Sequence, residues 1–304
     1  MSRSTTKPKV SIIIPSRSGE VSRPMRSIER QTLRDYEVDV VQRISPLNRA
    51  RNFGAQRARA DILLLLDDDI TLGHEHVLQN MVDLLESDAR IAIVGVSLRV
   101  PVEANRFQRL VARQVSRYVD PVVSDNLTSN PPLDRYGFTA VKGGCCAIRR
   151  TVFEEVGGFD DDVLSGEDTE FFYRVRRRGH NLVLTANCWA YHAPPANLKD
   201  LLRKNFSYGV GHAREARKSP ERGMALLPLN RWYGQLGLVA AVLGFPLAFF
   251  VHYYFDPARR LVFGFRPLKT LSTYATLGGY VYGWYHARPR EDATILPGRG
   301  TESA

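Results

Sequence analysis

The chain has 304 residues, of which 44% are hydrophobic and 24% charged, and this globular composition excludes a disordered or fibrous protein. Its 42 lysine and arginine residues outnumber its 32 aspartate and glutamate residues, and the net charge of +10 suits an anionic ligand or surface. The three cysteines, Cys145, Cys146 and Cys188, lack CxxC spacing, which argues against a disulfide framework and against a zinc site.

The first half of the chain alternates short apolar runs with amphipathic segments. It begins with a polar, basic stretch that lacks an apolar signal region, so the protein is expected in the cytoplasm. Buried strands are predicted at residues 10–14, 36–41, 62–66 and 91–96. Helices are predicted between them at residues 25–31, 48–60 and 76–86. This alternation predicts an α/β domain in which helices flank a mostly parallel central sheet.

Three consecutive aspartates, Asp67, Asp68 and Asp69, directly follow the apolar run at residues 62–66. Carboxylates crowded at the end of a buried strand repel one another, and a divalent cation that prefers oxygen ligands keeps them ionised. Such a cation usually accompanies a diphosphate. The aspartates therefore predict a site for a cation and a diphosphate. The alternative is a solvated acidic turn that caps the next helix.

The middle of the chain is less regular. Residues 101–133 contain a predicted helix at residues 107–119, and this segment is interpreted as a lid or an acceptor loop. A strand is predicted at residues 138–148, followed by a short helix at 151–156. The paired Gly143 and Gly144 in that strand indicate either a close approach of the backbone to another group or a simple bulge.

Two adjacent acids, Glu167 and Asp168, precede a helix predicted at residues 169–178. Acidic side chains near a helix N-terminus are favoured by the helix dipole, and Ser165 is a suitable cap. The two acids therefore either take part in chemistry or only stabilise the start of the helix.

A strand pair is predicted at residues 182–184 and 189–192. It ends in His192, which is interpreted as a metal ligand or as a hydrogen-bonded surface histidine. The segment at residues 198–217 is a very basic amphipathic helix, typical of a solvated or membrane-facing surface.

The composition changes after residue 226, which suggests a catalytic region at 1–225 and a C-terminal region at 226–304. Residues 232–255 carry no formal charge if His252 is neutral, and residues 270–287 form a second uncharged stretch. The first stretch is long enough to span a bilayer and has aromatic residues at its edges. We expect interfacial or re-entrant insertion, or a single span. The alternative is a buried helical subdomain.

Taken in order, the motifs in residues 10–211 resemble those of bacterial-type, membrane-associated family 2 glycosyltransferases with the GT-A fold. The opening strand and proline of that family match VSIIIPS at residues 10–16, and its strand followed by Asp-x-Asp matches residues 63–69. Its Ala-Arg-Asn-x-Gly segment matches residues 50–54. Further matches are Arg149 with Arg150, the Gly-Gly-Phe-Asp at residues 157–160, and Glu167 with Asp168 before a helix that ends in Gly179.

The resemblance implies a role for each matching residue. Asp168 is expected to be the catalytic base, and Glu167 to orient it or to touch the acceptor. The metal, Mg²⁺ or Mn²⁺, is expected at Asp69, Asp67 and His192, and acceptor contacts are expected at Gly143 and Gly144. The expected nucleotide-sugar ligands are Pro15, Ser16, Arg17, Gln42, Arg51, Asp67 and Asp68. The usual aspartate pair after the second strand is replaced by VQRIS at residues 41–45, so no nucleobase is named.

The implied activity is that of an inverting, metal-dependent hexosyltransferase. It would move a sugar from a nucleotide-diphosphate sugar to a hydroxyl of a glycan or lipid-linked acceptor in cell-envelope polysaccharide or glycolipid biosynthesis. The expected location is the cytoplasmic face of the cell membrane, against an anionic membrane surface. An alternative is a catalytically degenerate nucleotide-sugar-binding protein. A nucleic-acid partner is not expected, because no RNA-binding aromatic motif or zinc knuckle accompanies the basic residues.

Overall fold

The structure, a computed structural model, describes residues 7–115, 122–129, 141–163, 166–218, 227–248, 252–255 and 261–286. The first elements are β1 (Val10–Ser16), α1 (Ser22–Ile28), β2 (Tyr36–Gln42), α2 (Leu47–Arg57), β3 (Ile62–Leu66), β4 (Ile70–Leu72), α3 (Val77–Ser87) and β5 (Ile91–Arg99). They are followed by α4 (Arg106–Gln114), β6 (Leu127–Thr128), β7 (Cys145–Arg149), α5 (Arg150–Glu155), α6 (Glu167–Arg177) and β8 (Asn181–His192). The C-terminal elements are α7 (Leu198–Lys218), α8 (Trp232–Leu243), α9 (Phe245–Ala248), β9 (His252–Phe255), β10 (Leu261–Gly264) and α10 (Pro267–His286).

The central sheet has the strand order β2-β1-β3-β7-β5-β8-β4, and β6 pairs with β8. β1 is parallel to β2 and β3, as the alternating first half predicts. β7 is antiparallel to both β3 and β5, so the sheet is mixed and the prediction of a mostly parallel sheet is wrong. The reason is that the chain enters β7 beside the carboxyl end of β3, where Leu66 pairs with Cys145, and must run back along it.

Both faces of the sheet are buried, which confirms the α/β class. Along β1, Ile12 and Ile14 pack on the face covered by α3, whereas Ile13 packs on the opposite face. That opposite face is covered by α2, α5 and α6, with Phe171 and Val175 of α6 fully buried. Because successive side chains of a strand point to opposite faces, a continuous apolar run such as β3 is what a two-sided core requires.

Several other predicted elements have bounds that differ from the observed ones. The strand predicted at 138–148 is a strand at Cys145–Arg149, and residues 138–140 lie outside the described chain. The helix predicted at 107–119 is described as Arg106–Gln114, and residues 116–119 lie outside. The helix predicted at 48–60 ends at Arg57.

The predicted strand pair at 182–184 and 189–192 is one strand, β8. The four residues between the two apolar runs form an irregularity, where Gly95 and Ser97 of β5 pair with Leu184 and Trp189 of β8. Asn187 has a positive φ of 51° within this irregularity. The extra residues bend the strand without ending it. The far end of β8 therefore continues to β4, where His192 pairs with Ile70.

The C-terminal apolar stretch at residues 232–255 contains α8, α9 and β9, so its described residues do not form the single spanning helix that was one of the expected alternatives. In the part of the chain that the structure describes, no helix has the length and apolarity needed to cross a membrane. The second uncharged stretch lies in α10, which packs closely along α7. A Cβ added at Gly209 of α7 would lie 1.9 Å from the Thr276 carbonyl oxygen of α10. The predicted domain boundary after residue 225 lies outside the described residues.

Candidate active site

A cleft of about 360 Å³ lies at the carboxyl ends of β1 and β3. Parallel strands end at the same edge of a sheet, and ligands of open α/β sheets bind outside that edge. The cleft is lined by Pro15, Ser16, Arg17, Ser18, Ile44, Leu47, Ala50, Asp67, Asp68 and Asp69. The structure thus brings the polar loop after β1 together with the triple aspartate after β3. Their roles as donor and metal ligands stay predictions.

Asp68 and Asp69 differ in their electrostatic surroundings. Burial raises the pKa of Asp68, as do the negative charges of Asp69 and Asp67, although a hydrogen bond from the Ser16 hydroxyl opposes the shift. Burial also favours a raised pKa at Asp69, but the hydrogen bond and charge of His192, with the charge of Lys204, outweigh it. The pKa of Asp69 therefore lies below its usual range, and this carboxyl group is ionised at neutral pH.

Arg51 of α2 holds two acids of the site in place. Its Nη2 lies 2.9 Å from Oδ1 of Asp67, and its Nη1 lies 3.3 Å from Oε1 of Glu167. The Arg51 side chain is 2% exposed, so its charge is compensated by these carboxylates rather than by water. Burial raises the pKa of Glu167, helped by the adjacent Asp168, against the opposing charge of Arg51. Arg51 therefore acts on the acids directly, and its expected contact with the donor stays a prediction.

The turn formed by Gly143 and Gly144 lies between Asp67 and Asp168. The Asp67 N–H donates to the Gly144 carbonyl oxygen over 2.8 Å, and the Gly143 N–H donates to Oδ2 of Asp168 over 3.1 Å. A Cβ at Gly144 would lie 2.6 Å from Oδ2 of Asp67, and one at Gly143 would lie 2.7 Å from Cβ of Asp168. The two glycines therefore permit a close approach of the backbone to both acids. Their expected acceptor contacts stay predictions.

The loop before α6 is fastened to α2 by two asparagines. Asn48 donates to the carbonyl oxygens of Asp160 and Val163 over 2.6 and 2.7 Å. Asn52 accepts from the Phe159 N–H over 2.9 Å and donates to the Phe159 carbonyl oxygen over 2.8 Å. These contacts orient the segment that leads to Glu167 and Asp168.

The ring of Phe159 links the same loop to the charged centre. It lies 5.3 Å from the Arg51 guanidinium and stacks on Phe171 of α6 with a centroid distance of 4.5 Å. The sequence pattern alone indicates no role for Asn48, Asn52, Phe159 or Lys204. Asn52 lies in the Ala-Arg-Asn-x-Gly motif and Phe159 in the Gly-Gly-Phe-Asp motif, so both were recognisable as candidates. Their pairing depends on contacts across more than a hundred residues.

Gln42 lies at the end of β2, opposite Ser16 in the register of the sheet. Its side chain packs against the backbone of Gly19, where an added Cβ would lie 2.7 Å from Nε2. Gln42 is therefore at the same sheet edge as the cleft but is not one of the residues that line it. Its expected contact with a nucleobase stays a prediction.

The acidic residues of the cleft, together with His192 and a diphosphate, suit a Mg²⁺ or Mn²⁺ ion. Within the described ranges, no three His, Cys, Asp or Glu side chains form a group that could hold a metal ion by themselves. Nε2 of His192 lies 3.3 Å from Oδ2 of Asp69, so an imidazole and an ionised carboxylate are in contact beside the cleft. Mg²⁺ is commonly bound by one or two carboxylates plus substrate phosphates. The chemistry of this donor set therefore suits a cation that is shared with a ligand.

Residues 8–209 match the family model described as "Glycosyltransferase like family 2". The succinoglycan biosynthesis protein ExoA of Rhizobium meliloti is 26% identical over 157 residues, which are 52% of this chain and 45% of that protein. The O-antigen biosynthesis protein RfbC of Myxococcus xanthus is 28% identical over 173 residues, which are 53% of this chain and 13% of that protein. The chain thus spans less than half the length of these curated relatives.

A solved structure with a similar fold is the "Mannosyltransferase PcManGT from Pyrobaculum calidifontis in complex with GDP-Man and Mn2+". The TM-score is 0.56 and the sequence identity is 15%, over 93% of this chain and 89% of that one. At this identity the likeness concerns the fold alone, an α/β fold of GT-A type with a mixed central sheet.

Proposed function

The chain belongs to the glycosyltransferase-like family 2, and from this we propose that it transfers a hexose from a nucleotide-diphosphate sugar to an acceptor hydroxyl with inversion. The observation that carries the proposal is the Gly143–Gly144 turn. It contacts Asp67, which faces the cleft, and Asp168, the proposed base. The acid proposed for the donor side and the acid proposed for the acceptor side thus lie on either side of one turn.

The proposed reaction is a single displacement. The acceptor oxygen forms a bond to the anomeric carbon, the bond from that carbon to the diphosphate oxygen breaks, and the acceptor proton passes to Asp168. The Gly143 N–H and the Thr169 N–H hold the two oxygens of Asp168 over 3.1 and 2.8 Å, which limits rotation of the carboxylate. Glu167, fixed by Arg51, orients the start of α6 and with it the base.

A divalent cation completes the proposed donor site. Asp69 and His192 would hold it, with Asp67 as a further ligand, and the proposal is supported by the Mn²⁺ in the mannosyltransferase of similar fold. When bound, Mg²⁺ or Mn²⁺ neutralises charge on the diphosphate leaving group. The loop at Ser16 and Arg17 and the side chain of Asp68 would contact the nucleotide in the same cleft.

The proposed acceptor is a glycan or a lipid-linked sugar in cell-envelope polysaccharide or glycolipid biosynthesis. The names of the relatives, which refer to succinoglycan and O-antigen biosynthesis, support this setting. We propose that the reaction occurs at the cytoplasmic face of the cell membrane, because the chain is strongly basic and the cytoplasmic leaflet carries anionic lipid.

The experiment that tests the proposal is the substitution Asp168→Asn, assayed with a panel of nucleotide-sugars, Mn²⁺ and a membrane fraction as the source of acceptor. Asparagine keeps the shape of the side chain and one acceptor oxygen, so it retains the hydrogen bond from either Gly143 or Thr169, but it does not take up a proton. We expect folding to be unchanged and transfer to fall by roughly 10²–10⁴-fold, the usual contribution of a general base.

The matched control is Glu154→Gln on α5, which makes the same carboxyl-to-amide change at an exposed salt bridge with Arg150. This variant should transfer at the wild-type rate. Normal turnover of Asp168→Asn would overturn the assignment of the base. Binding of nucleotide-sugar by the wild type without transfer or donor hydrolysis would instead favour the catalytically degenerate alternative.

A further inference from the structure

Helix α8 is apolar on the face that packs against the rest of the protein. No charged residue occurs at positions 232–248. Leu238 packs on a buried cluster formed by α7, α10 and the segment before α8. The Ala241 carbonyl oxygen accepts a hydrogen bond from the Tyr274 hydroxyl over 2.5 Å, and the Phe245 ring meets the Tyr274 ring edge-on at 4.5 Å. This face is therefore anchored to α10.

The opposite face of α8 is also apolar, yet it is exposed. Trp232, Leu236, Val239 and Leu243 are 74%, 60%, 53% and 75% exposed. Their spacing of four, three and four residues places them in one row along the helix. We call these four residues the apolar stripe. Large exposed apolar surfaces that are contiguous mark contacts with proteins or membranes.

The charges around the apolar stripe favour an anionic partner. Among the described residues from 227 to 286, the charged side chains are Arg231, Arg266 and Lys269, and no aspartate or glutamate occurs. Arg231 is exposed and directly precedes Trp232. Arg217 at the end of α7 is exposed and donates to the Trp284 carbonyl oxygen, in the cluster on which α8 packs.

The same charges disfavour a second copy of the chain as the partner. A twofold contact brings the same patch of both copies together, so it must be complementary to itself. Arg231 adjoins the apolar stripe, and no carboxylate in the described residues of α8, α9 or α10 would pair with it across such a contact. Lipid phosphates supply the opposite charge.

The dimensions of α8 suit a helix that lies in the membrane surface. Its 12 residues extend about 18 Å, shorter than the roughly 30 Å of a bilayer's hydrocarbon core. Trp232 and Tyr233 stand at its N-terminal end, next to Arg231, and aromatic and cationic residues are typical of the headgroup level. The aliphatic members of the apolar stripe would then enter the boundary with the acyl chains.

We propose that the apolar stripe of α8 inserts into the interfacial region of a membrane containing anionic phospholipid, with Arg231 and Arg217 at the headgroup phosphates. Membrane binding by this surface does not depend on transfer activity. Its consequence for catalysis, that the cleft is held near a lipid-linked acceptor, does rest on the proposed function.

The test is co-sedimentation of the full chain with vesicles of phosphatidylcholine alone or mixed with phosphatidylglycerol, at low and high salt. We expect binding to the anionic vesicles that weakens as salt is added. The double variant Leu236→Ser with Leu243→Ser should bind at least roughly tenfold more weakly, because each substitution removes a large apolar side chain from the contact. The matched control is Val102→Ser with Leu110→Ser, two exposed apolar residues elsewhere, which should bind as the wild type.

Several outcomes would overturn the proposal. One is that the wild type binds neither kind of vesicle. Another is that the α8 variant binds vesicles as strongly as the wild type. A third is that light scattering shows a dimer for the wild type and a monomer for the α8 variant. Thermal unfolding of each variant identifies a loss of binding that comes from misfolding. In that case Trp232→Ser provides a second test of the apolar stripe. Donor hydrolysis without vesicles should be the same in wild type and α8 variant. If neither the wild type nor the α8 variant hydrolyses the donor, while the wild type binds vesicles as expected, the result would count against the proposed function and not against membrane binding.

Discussion

Arg51 joins three parts of the chain that are far apart in sequence. A buried guanidinium without partners would be strongly destabilising, and here Asp67 and Glu167 supply the opposite charges while Phe159 covers its face. The planar, forked shape of arginine allows one side chain to reach both carboxylates, whereas the ammonium of lysine is a single point charge. Arg51 is therefore a positioning residue that couples the acid of the cleft to the start of α6.

The substitution Arg51→Lys tests this coupling. We expect kcat to fall by roughly tenfold to a hundredfold, because lysine keeps the charge but does not bridge both acids, and small displacements of reacting groups are costly. KM for the donor should change much less. The measurements are kcat and KM with the preferred nucleotide-sugar, together with thermal unfolding.

Arg57→Lys on the same helix is the control, since Arg57 is half-exposed and pairs with Asp39 outside the site. It should leave kcat unchanged. If Arg51→Lys lowers the unfolding temperature but retains the wild-type kcat, then Arg51 supports the fold without positioning the acids.

At the scale of elements, α2 connects the sheet to the loop before α6. One side of α2 lies so close to β1 that a Cβ at Gly54 would be 2.4 Å from Cγ2 of Ile13. Its other contacts are the hydrogen bonds from Asn48 and Asn52 to the 159–163 loop. The Ala-Arg-Asn-x-Gly segment of α2 therefore provides three contacts. Gly54 packs closely on β1, Arg51 forms ion pairs with two acids, and Asn52 forms hydrogen bonds to the 159–163 loop.

Gly54→Ala should destabilise the protein by about 1–3 kcal/mol, the usual cost of adding an atom to a well-packed core. The control is Gly278→Ala in α10, where an added Cβ meets no atom within 4 Å. That substitution should be neutral or stabilise by up to about 1 kcal/mol, since alanine favours the helix. Denaturant unfolding of both variants measures the difference. Equal stabilities would contradict the close contact of α2 with β1.

At the scale of the whole molecule, the candidate site is assembled from elements across most of the fold. β1 and β3 supply the cleft, the start of α6 supplies the proposed base, the turn before β7 contacts that base, and β8 brings His192 to Asp69. α7 adds the charge of Lys204 near Asp69. A ligand that binds these groups together should therefore stabilise the entire catalytic region against unfolding.

Nucleoside diphosphate with Mn²⁺ should raise the unfolding temperature by roughly 5 °C at about one hundred times its dissociation constant. Mn²⁺ alone should have a much smaller effect, because the described residues do not form a complete set of ligands. Adding a chelator should reverse the shift. Asp69→Asn should lose most of it, whereas Asp83→Asn on α3 should behave as the wild type; a full shift in Asp69→Asn would contradict the metal assignment.

Much of the catalytic region follows from local sequence pattern. The apolar runs of β1, β3 and β5 and the spacing of α3 are sufficient to predict the alternating α/β fold, because periodicity and turn residues act over a few neighbours. The same locality places Asp67–Asp69 after β3 and Glu167 with Asp168 at the start of α6. The residues of the candidate site were therefore found from motifs, although their contacts were not.

The tertiary structure alone decided the direction of β7, the continuity of β8 through its irregular pairing, the partners of Arg51 and the exposure of one face of α8. Each depends on groups that are distant in sequence, as the 116 residues between Arg51 and Glu167 illustrate. The sequence pattern of the apolar stretch at residues 232–255 does not distinguish a segment that spans a bilayer from one that packs in a core or lies on a surface. Its division into α8, α9 and β9, and the packing of only one side of α8, are set by contacts with α7 and α10. Local pattern therefore determined which residues are candidates for the site, and long-range packing determined which of them meet.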